Sequence, residues 1–294
     1  MASAKDSISE MRLRSRRRML AAAVVAGAVL VTAPALLIGS IPTYNPSPLA
    51  PDALARLAAA DGWQIDRVET DDGVALAGLV HPSRAQGAPW ILFLPGNGAE
   101  QLRKGQTYLS RLALGPEWSL AVFALRGFDA SQGVPERDAL IDDTLRVHRH
   151  LRDRYGATTP DIHLVGFSFG TGLALYLAAS LVHEGETPPG IVLLSTEGTA
   201  LRWWMRNPGI AAHWSWPDLY DVTPLLADLQ MPFLIVEGSR DLLGPHELRH
   251  RLGTQVTYLE VPGGDHGASL ERPEALAAVR AFVTGRSPGA GSGA

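Results

Sequence analysis

The chain has 294 residues, enough for one large α/β domain or two small ones, and its 46% hydrophobic and 19% charged residues are those of a globular protein. It has no cysteine, which excludes disulfides and thiolate metal sites. Residues 1–20 carry a net +4 and residues 21–294 a net −8, an acidic balance that argues against binding a nucleic-acid backbone.

The first element is a targeting or anchoring segment. Residues 1–18 are basic, and the 23 residues from Met19 to Ile41 include no charge and only Thr32 and Ser40 as polar side chains. A helix of that length spans a hydrocarbon core of about 30 Å. Arginines ahead of it keep this end in the cytoplasm and send the rest of the chain across. Two readings stay open. One is a permanent single-helix anchor in the cell membrane with the domain outside the cytoplasm. The other is a signal peptide cleaved near Ala33-Pro34-Ala35, followed by export. Ser15-Arg16-Arg17-Arg18-Met19-Leu20 is similar to a twin-arginine export signal. The proline-rich stretch 42–51 reads as an extended spacer within a linker, 42–62, that closes with a short helix near Asp52–Ala60. Residues 286–294 read as a flexible Gly/Ser/Pro/Ala tail.

Within 63–285, Ile65–Thr70 and Val74–His81 flank Asp71-Asp72-Gly73, which predicts a hairpin. Strand-length apolar runs follow at Trp90–Leu94, Leu120–Leu125, Ile162–Val165, Ile191–Leu194, Phe233–Val236 and Val256–Leu259. Helical spacing fills the intervals at Ala99–Leu114, Glu136–Tyr155, Thr171–His183, His246–Leu252 and Pro273–Val283. Strands that are apolar on both faces and alternate with helices predict an α/β fold. Its central sheet is mostly parallel, with an antiparallel start and helices on both faces. Functional residues then gather at the carboxyl ends of the strands.

One loop of this kind carries chemistry. The run His163-Leu164-Val165 passes directly into Gly166-Phe167-Ser168-Phe169-Gly170 and then into a helix, which predicts a strained turn that lifts the Ser168 hydroxyl above the sheet. Gly-x-Ser-x-Gly alone is weak in a chain with 30 glycines. The context strengthens it, because a nucleophilic serine needs a base and the base an orienting acid. Asp241 follows the strand Phe233–Val236, and His266 follows Val256–Leu259. Of nine histidines only His266 combines that order with a loop position. His148 and His150, two apart on a helix, face different ways and form no ligand pair. Glu197, after Ile191–Leu194, is the rival acid, and pairing with Arg240 is the bland alternative for Asp241. Backbone donors for an oxyanion are expected at Phe169 and at Asn97 in Leu94-Pro95-Gly96-Asn97-Gly98. A dinucleotide-binding reading of Gly96-x-Gly98 fails because Gln101 stands where the third glycine belongs.

With these residues assembled, the chain resembles the α/β-hydrolase superfamily, in particular its envelope-anchored esterase/lipase-like and serine-aminopeptidase-like branches. The resemblance covers roughly residues 63–284. It rests on Leu94–Gly98, Leu125-Arg126-Gly127-Phe128-Asp129-Ala130-Ser131-Gln132-Gly133, Gly166–Gly170, Asp241 and Asp265-His266-Gly267. Pro95 stands where family members often have histidine. The resemblance implies an α/β-hydrolase fold with a small cap insertion at about 198–229, where Trp203, Trp204, Trp214 and Trp216 are four of the chain's seven tryptophans. These rings read either as an aromatic wall for substrate or as packing and interfacial anchors. The implied activity is a serine hydrolase with catalytic Ser168, Asp241 and His266, needing no cofactor or metal, acting on a small-molecule or lipid-like acyl ester, thioester or amide. A serine aminopeptidase and a non-catalytic scaffold on the same fold are the alternatives.

Overall fold

In the computed structural model of this chain the described residues are 44–196, 225–241 and 255–285, without positions 45, 51 and 61. The apolar segment 19–41, most of the cap, the helix expected at His246–Leu252 and the tail therefore lie outside the described residues. Among the described residues, no helix is long and apolar enough to cross a membrane.

Helix α1 (Ala53–Ala58) leads into the hairpin β1 (Gln64–Glu69) and β2 (Ala75–His81), whose antiparallel register runs from Gln64 opposite Val80 to Glu69 opposite Ala75. The turn closes as Asp72-Gly73 requires, with Gly73 at φ 78° and its amide on the Thr70 carbonyl at 2.9 Å. Then follow β3 (Trp90–Leu94), α2 (Gln101–Arg111), β4 (Ser119–Phe123), α3 (Arg137–Tyr155), β5 (Ile162–Phe167), α4 (Phe169–His183), β6 (Ile191–Leu194), β7 (Phe233–Gly238), β8 (Val256–Val261), α5 (Ala268–Glu271) and α6 (Pro273–Thr284). The eight strands form one sheet in the order β1-β2-β4-β3-β5-β6-β7-β8. Pairing is parallel from β4 across to β8, while β2 is antiparallel to both β1 and β4, so only β2 runs against the rest. This is the mostly parallel α/β sheet with an antiparallel start that the sequence pattern implies.

Hydrophobicity accounts for which strands are central. Every residue of β3, β4, β6 and β7 is buried, as fits strands covered on both faces, whereas edge strand β1 buries only Asp66 and Val68 and edge strand β8 only Val261. Helix α4 buries Leu173, Ala174, Leu175, Leu177, Ala178 and Leu181 against the sheet. The order reverses direction between β3 and β5, and the loops leaving those two strands open the crevice where such sheets bind ligands.

The proline-rich stretch after residue 43 is fastened to the domain rather than spanning open space. Leu49 N–H donates to the Asp129 carbonyl and Asp129 N–H to the Ser47 carbonyl, both at 2.9 Å, making a bridge between Pro48 and Asp129. The Tyr44 ring meets Phe169 edge-on at 5.9 Å.

Arg126 ties the hairpin to α3. Its guanidinium donates to Asp143 through Nε at 2.8 Å and Nη2 at 2.7 Å, and to Asp72 through Nη1 at 2.7 Å. Arg126 and Asp143 are buried, while the Asp72 side chain is 55% exposed. Replacing Arg126 with alanine leaves the Asp143 carboxylate buried without its cation and should lower unfolding free energy by about 3–5 kcal/mol in urea titrations. Asp72→Asn, acting at solvent, should move the same midpoint much less.

His148 and His150 do face different ways. His150 Nε2 lies 2.8 Å from Asp66 Oδ2, whereas His148 is fully buried, and burial pushes its imidazole down to about 4 from 6.5. Between those values the unfolded chain takes up a proton that the folded chain refuses, so stability falls as pH drops. Urea titrations should show His148→Leu flattening the decline from pH 7 to 4.5 by up to roughly 3 kcal/mol.

Candidate active site

The site begins with the geometry of Ser168. It joins β5 to α4 with no intervening loop, at φ 53° and ψ −122°, a conformation that L residues avoid and that costs on the order of 1–3 kcal/mol. The neighbouring glycines make this turn feasible. A Cβ on Gly166 would lie 2.4 Å from the Gly170 carbonyl oxygen, and one on Gly170 only 2.0 Å from that of Leu94. These are backbone atoms that cannot swing aside. Ser168 N–H donates to the Leu194 carbonyl at 2.9 Å, and Thr171 Oγ1 donates to the Ser168 carbonyl at 2.6 Å. The strained residue is therefore held from both sides.

The structure brings Ser168, His266 and Asp241 together. His266 Nε2 is 2.8 Å from Ser168 Oγ, and its Nδ1 is 2.8 Å from Asp241 Oδ2. The Asp241 side chain is only 1% exposed, against 32% for His266, so the carboxylate lies beneath the ring and not in solvent beside Arg240. Glu197 lies outside the described residues. Asp265 is engaged locally, accepting the Gly267 amide at 3.1 Å.

Two loops of different strands must meet for this arrangement, and their backbones are joined directly. Ser239 N–H donates to the Val261 carbonyl at 3.0 Å and Arg240 N–H to the Gly264 carbonyl at 2.8 Å. Gly263 N–H donates to Ser239 Oγ at 2.8 Å. Gly238 allows the approach, since a Cβ there would stand 2.4 Å from the Gly264 carbonyl oxygen. Just before it, buried Glu237 accepts hydrogen bonds from Thr196 Oγ1 and, at 3.2 Å, from Tyr258 Oη, bracing β6 to β8 below the site.

On the other side of the serine, Asn97 lines a cavity together with Ser168, His266, Phe93, Phe167 and Leu270. Phe169, as the first residue of α4, places its amide at the positive end of that helix. Its ring is buried.

Sequence reasoning missed what fixes the Asn97 loop. Gln101, noted only as the residue that breaks a glycine pattern, is buried. It donates through Nε2 to the Gly96 carbonyl at 2.9 Å and accepts the Leu125 amide on Oε1 at 2.8 Å. Asp129 likewise holds the start of α2 by accepting the Leu102 amide at 2.7 Å, and burial pushes its carboxyl above the usual range. The available signal was a glutamine beside Leu102 on the inward face of an amphipathic helix. The Arg126–Gly133 loop thus bears on the site through Asp129, while Arg126 points to the hairpin and α3.

No protein-family model matches the chain. A lysophosphatidylserine lipase, ABHD12, from Danio rerio is 26% identical over 137 residues, 43% of this chain and 35% of its own. The chain thus spans about a third of that relative's length. WAV2, an α/β hydrolase domain-containing protein of Arabidopsis thaliana, is 24% identical over 275 residues, 83% of this chain and 84% of its own. Among solved structures, the Pyrococcus furiosus esterase Pf2001 superposes with a TM-score of 0.63 at 17% identity, covering 84% of this chain and 99% of that one. A bacterial membrane phospholipase A does so at 0.59 and 19%, covering 92% and 98%. Strand order and the elbow at Ser168 give the chain an α/β-hydrolase fold, and the curated relatives and solved structures it is similar to are hydrolases and hydrolase-domain proteins.

Proposed function

We propose that this protein is a serine hydrolase that cleaves acyl esters through an acyl-enzyme on Ser168. The observation that carries the reading is the continuous chain from Ser168 Oγ through His266 to a buried Asp241, with both contacts at 2.8 Å. A scaffold has no need for a strained serine in line with an oriented base.

The chemistry follows from the geometry. Ser168 Oγ attacks the acyl carbonyl carbon as His266 Nε2 takes the hydroxyl proton. Asp241, accepting from Nδ1–H, holds the tautomer whose Nε2 is the acceptor and steadies the imidazolium. The amides of Asn97 and Phe169 are the proposed donors to the developing oxyanion. Collapse breaks the bond to the leaving alcohol, which departs with the proton from His266. Water, deprotonated by the same nitrogen, then attacks the acyl-enzyme and releases the acid, restoring the serine.

Ester chemistry on a lipid-like substrate is favoured by the cavity's apolar walls, Phe93, Phe167 and Leu270, and by the lipase and phospholipase among the similar proteins. The apolar stretch 19–41 behind a basic segment supports a membrane tether with the domain outside the cytoplasm.

A fluorophosphonate probe should label the wild type and fail to label Ser168→Ala. Turnover of a short acyl ester should drop about 10⁴-fold in Asp241→Asn, where the tautomer is no longer enforced. An unlabelled wild type, or equal labelling of Ser168→Ala, defeats the proposal in favour of a binding role. For the tether, full-length protein should remain in carbonate-washed membranes. A shortened soluble product would instead mean cleavage and export.

A further inference from the structure

We propose that Lys104 is a specificity residue that selects acyl esters carrying a negative charge, so that the favoured substrate is an anionic amphiphile. The proposal rests on the hydrolase reading above and names the substrate class of the same cavity.

Of the described residues lining the cavity that holds Ser168 and His266, Lys104 alone bears a permanent charge. Its position there is fixed by its neighbour one turn earlier. Gln101 is locked to the Gly96 carbonyl and the Leu125 amide, and residues three apart share a helix face, so α2 presents Lys104 on the side of the Asn97 loop. Two carboxylates, Glu100 and Asp129, lie within electrostatic reach of Lys104, and each has a hydrogen-bond donor of its own. Glu100 accepts from Arg103 Nε at 2.8 Å, and Asp129 accepts the Leu102 amide from its buried position. Lys104 is exposed and makes no ion pair among the described residues.

The wider field gives this cation a purpose. Residues 21–294 carry a net −8, so the domain as a whole repels an anion. A single ammonium at the rim offsets that field locally, within the roughly 8–10 Å over which salt leaves a surface charge effective. Apolar walls beside one cation match a substrate with a hydrocarbon chain at one end and an anionic group at the other. Hydrolysis would split it into a fatty acid and an anionic alcohol. Lys104 exchanges no proton in this scheme. It contributes to binding equally before and at the transition state, so its loss should raise KM more than it lowers kcat.

The test compares three acyl esters of equal chain length below their micellar concentrations: a neutral monoacylglycerol, a lysophosphatidylglycerol, and a monoacyl ester bearing a carboxylate. Lys104→Gln should lower the ratio of anionic to neutral kcat/KM about three- to tenfold, mainly through KM. Lys104→Glu should lower it further, and Lys104→Arg should retain it. Added salt should lower the wild-type ratio and leave that of Lys104→Gln flat. Arg111→Gln, which removes an exposed cation on the same helix that does not line the cavity, should keep the wild-type ratio. A fall on the phosphodiester alone supports a phosphate reader, and a fall on both anionic esters supports a general anion reader. Unchanged ratios in both Lys104→Gln and Lys104→Glu, or an equal fall in Arg111→Gln, overturn the assignment. If these enzymes still label with fluorophosphonate, the hydrolase reading survives that result. A wild type that neither labels nor hydrolyses any ester overturns both.

Discussion

The contact on which the site depends is the one between Gly170 and the end of β3. At that point α4 comes so close to the sheet that a single added carbon would sit 2.0 Å from the Leu94 carbonyl oxygen. Because α4 starts at this distance, Ser168 cannot relax into an ordinary loop, and its backbone stays in a region that normally excludes side chains. The loop after β3 is brought against the serine by the same contact, for a Cβ on Gly96 would lie 3.2 Å from Ser168 Cβ. Nucleophile and candidate oxyanion loop are therefore positioned by one approach. No flexible segment between them has to be ordered when substrate arrives.

A second close approach, Gly238 on Gly264, does the same for the acid and the base. Asp241 and His266 follow neighbouring parallel strands, and a ladder of backbone bonds continues past the strand ends through Ser239 and Arg240. The 2.8 Å contact between carboxylate and ring thus inherits its accuracy from sheet register. Strain at Ser168 is offset by burial of the central strands, two of which lend Phe93 and Phe167 to the cavity wall, and the Arg126–Asp143 pair lies away from that cavity.

Elements governed by local pattern were legible in the sequence. The hairpin turned by Asp72-Gly73, β3 and β6 to the residue, and the passage from Val165 into a helix through Ser168 all follow from apolar runs and glycine placement. Relations between distant positions were not. Gln101 looked like a defect in a glycine motif, and nothing in its neighbourhood reveals that its amide spans Gly96 and Leu125. Arg126 sits within a loop motif suggestive of the site, yet its partners are 54 and 17 residues away and lead elsewhere. The stretch after residue 43 has the prolines of a free spacer, and its attachment depends on main-chain atoms of Asp129 that no side-chain pattern encodes. Chain order alone leaves Asp241 and Glu197 open as the acid; Asp241 stands 2.8 Å from His266, and Glu197 lies outside the described residues.

Asp129 connects these otherwise separate features. Its φ of 49° turns the chain so that its amide and carbonyl face residues 47–49 while its carboxylate reaches the Leu102 amide at the start of α2. Gln101 precedes Leu102, so the residue that holds the Gly96 carbonyl is placed by the same turn. The chain arriving from the amino terminus therefore packs against the site at two points, Asp129 on the α2 side and Tyr44 against the Phe169 ring. Each carries part of the burden of keeping a candidate oxyanion donor in place. A segment whose composition suggests only a connector is, by its contacts, part of the frame around Ser168.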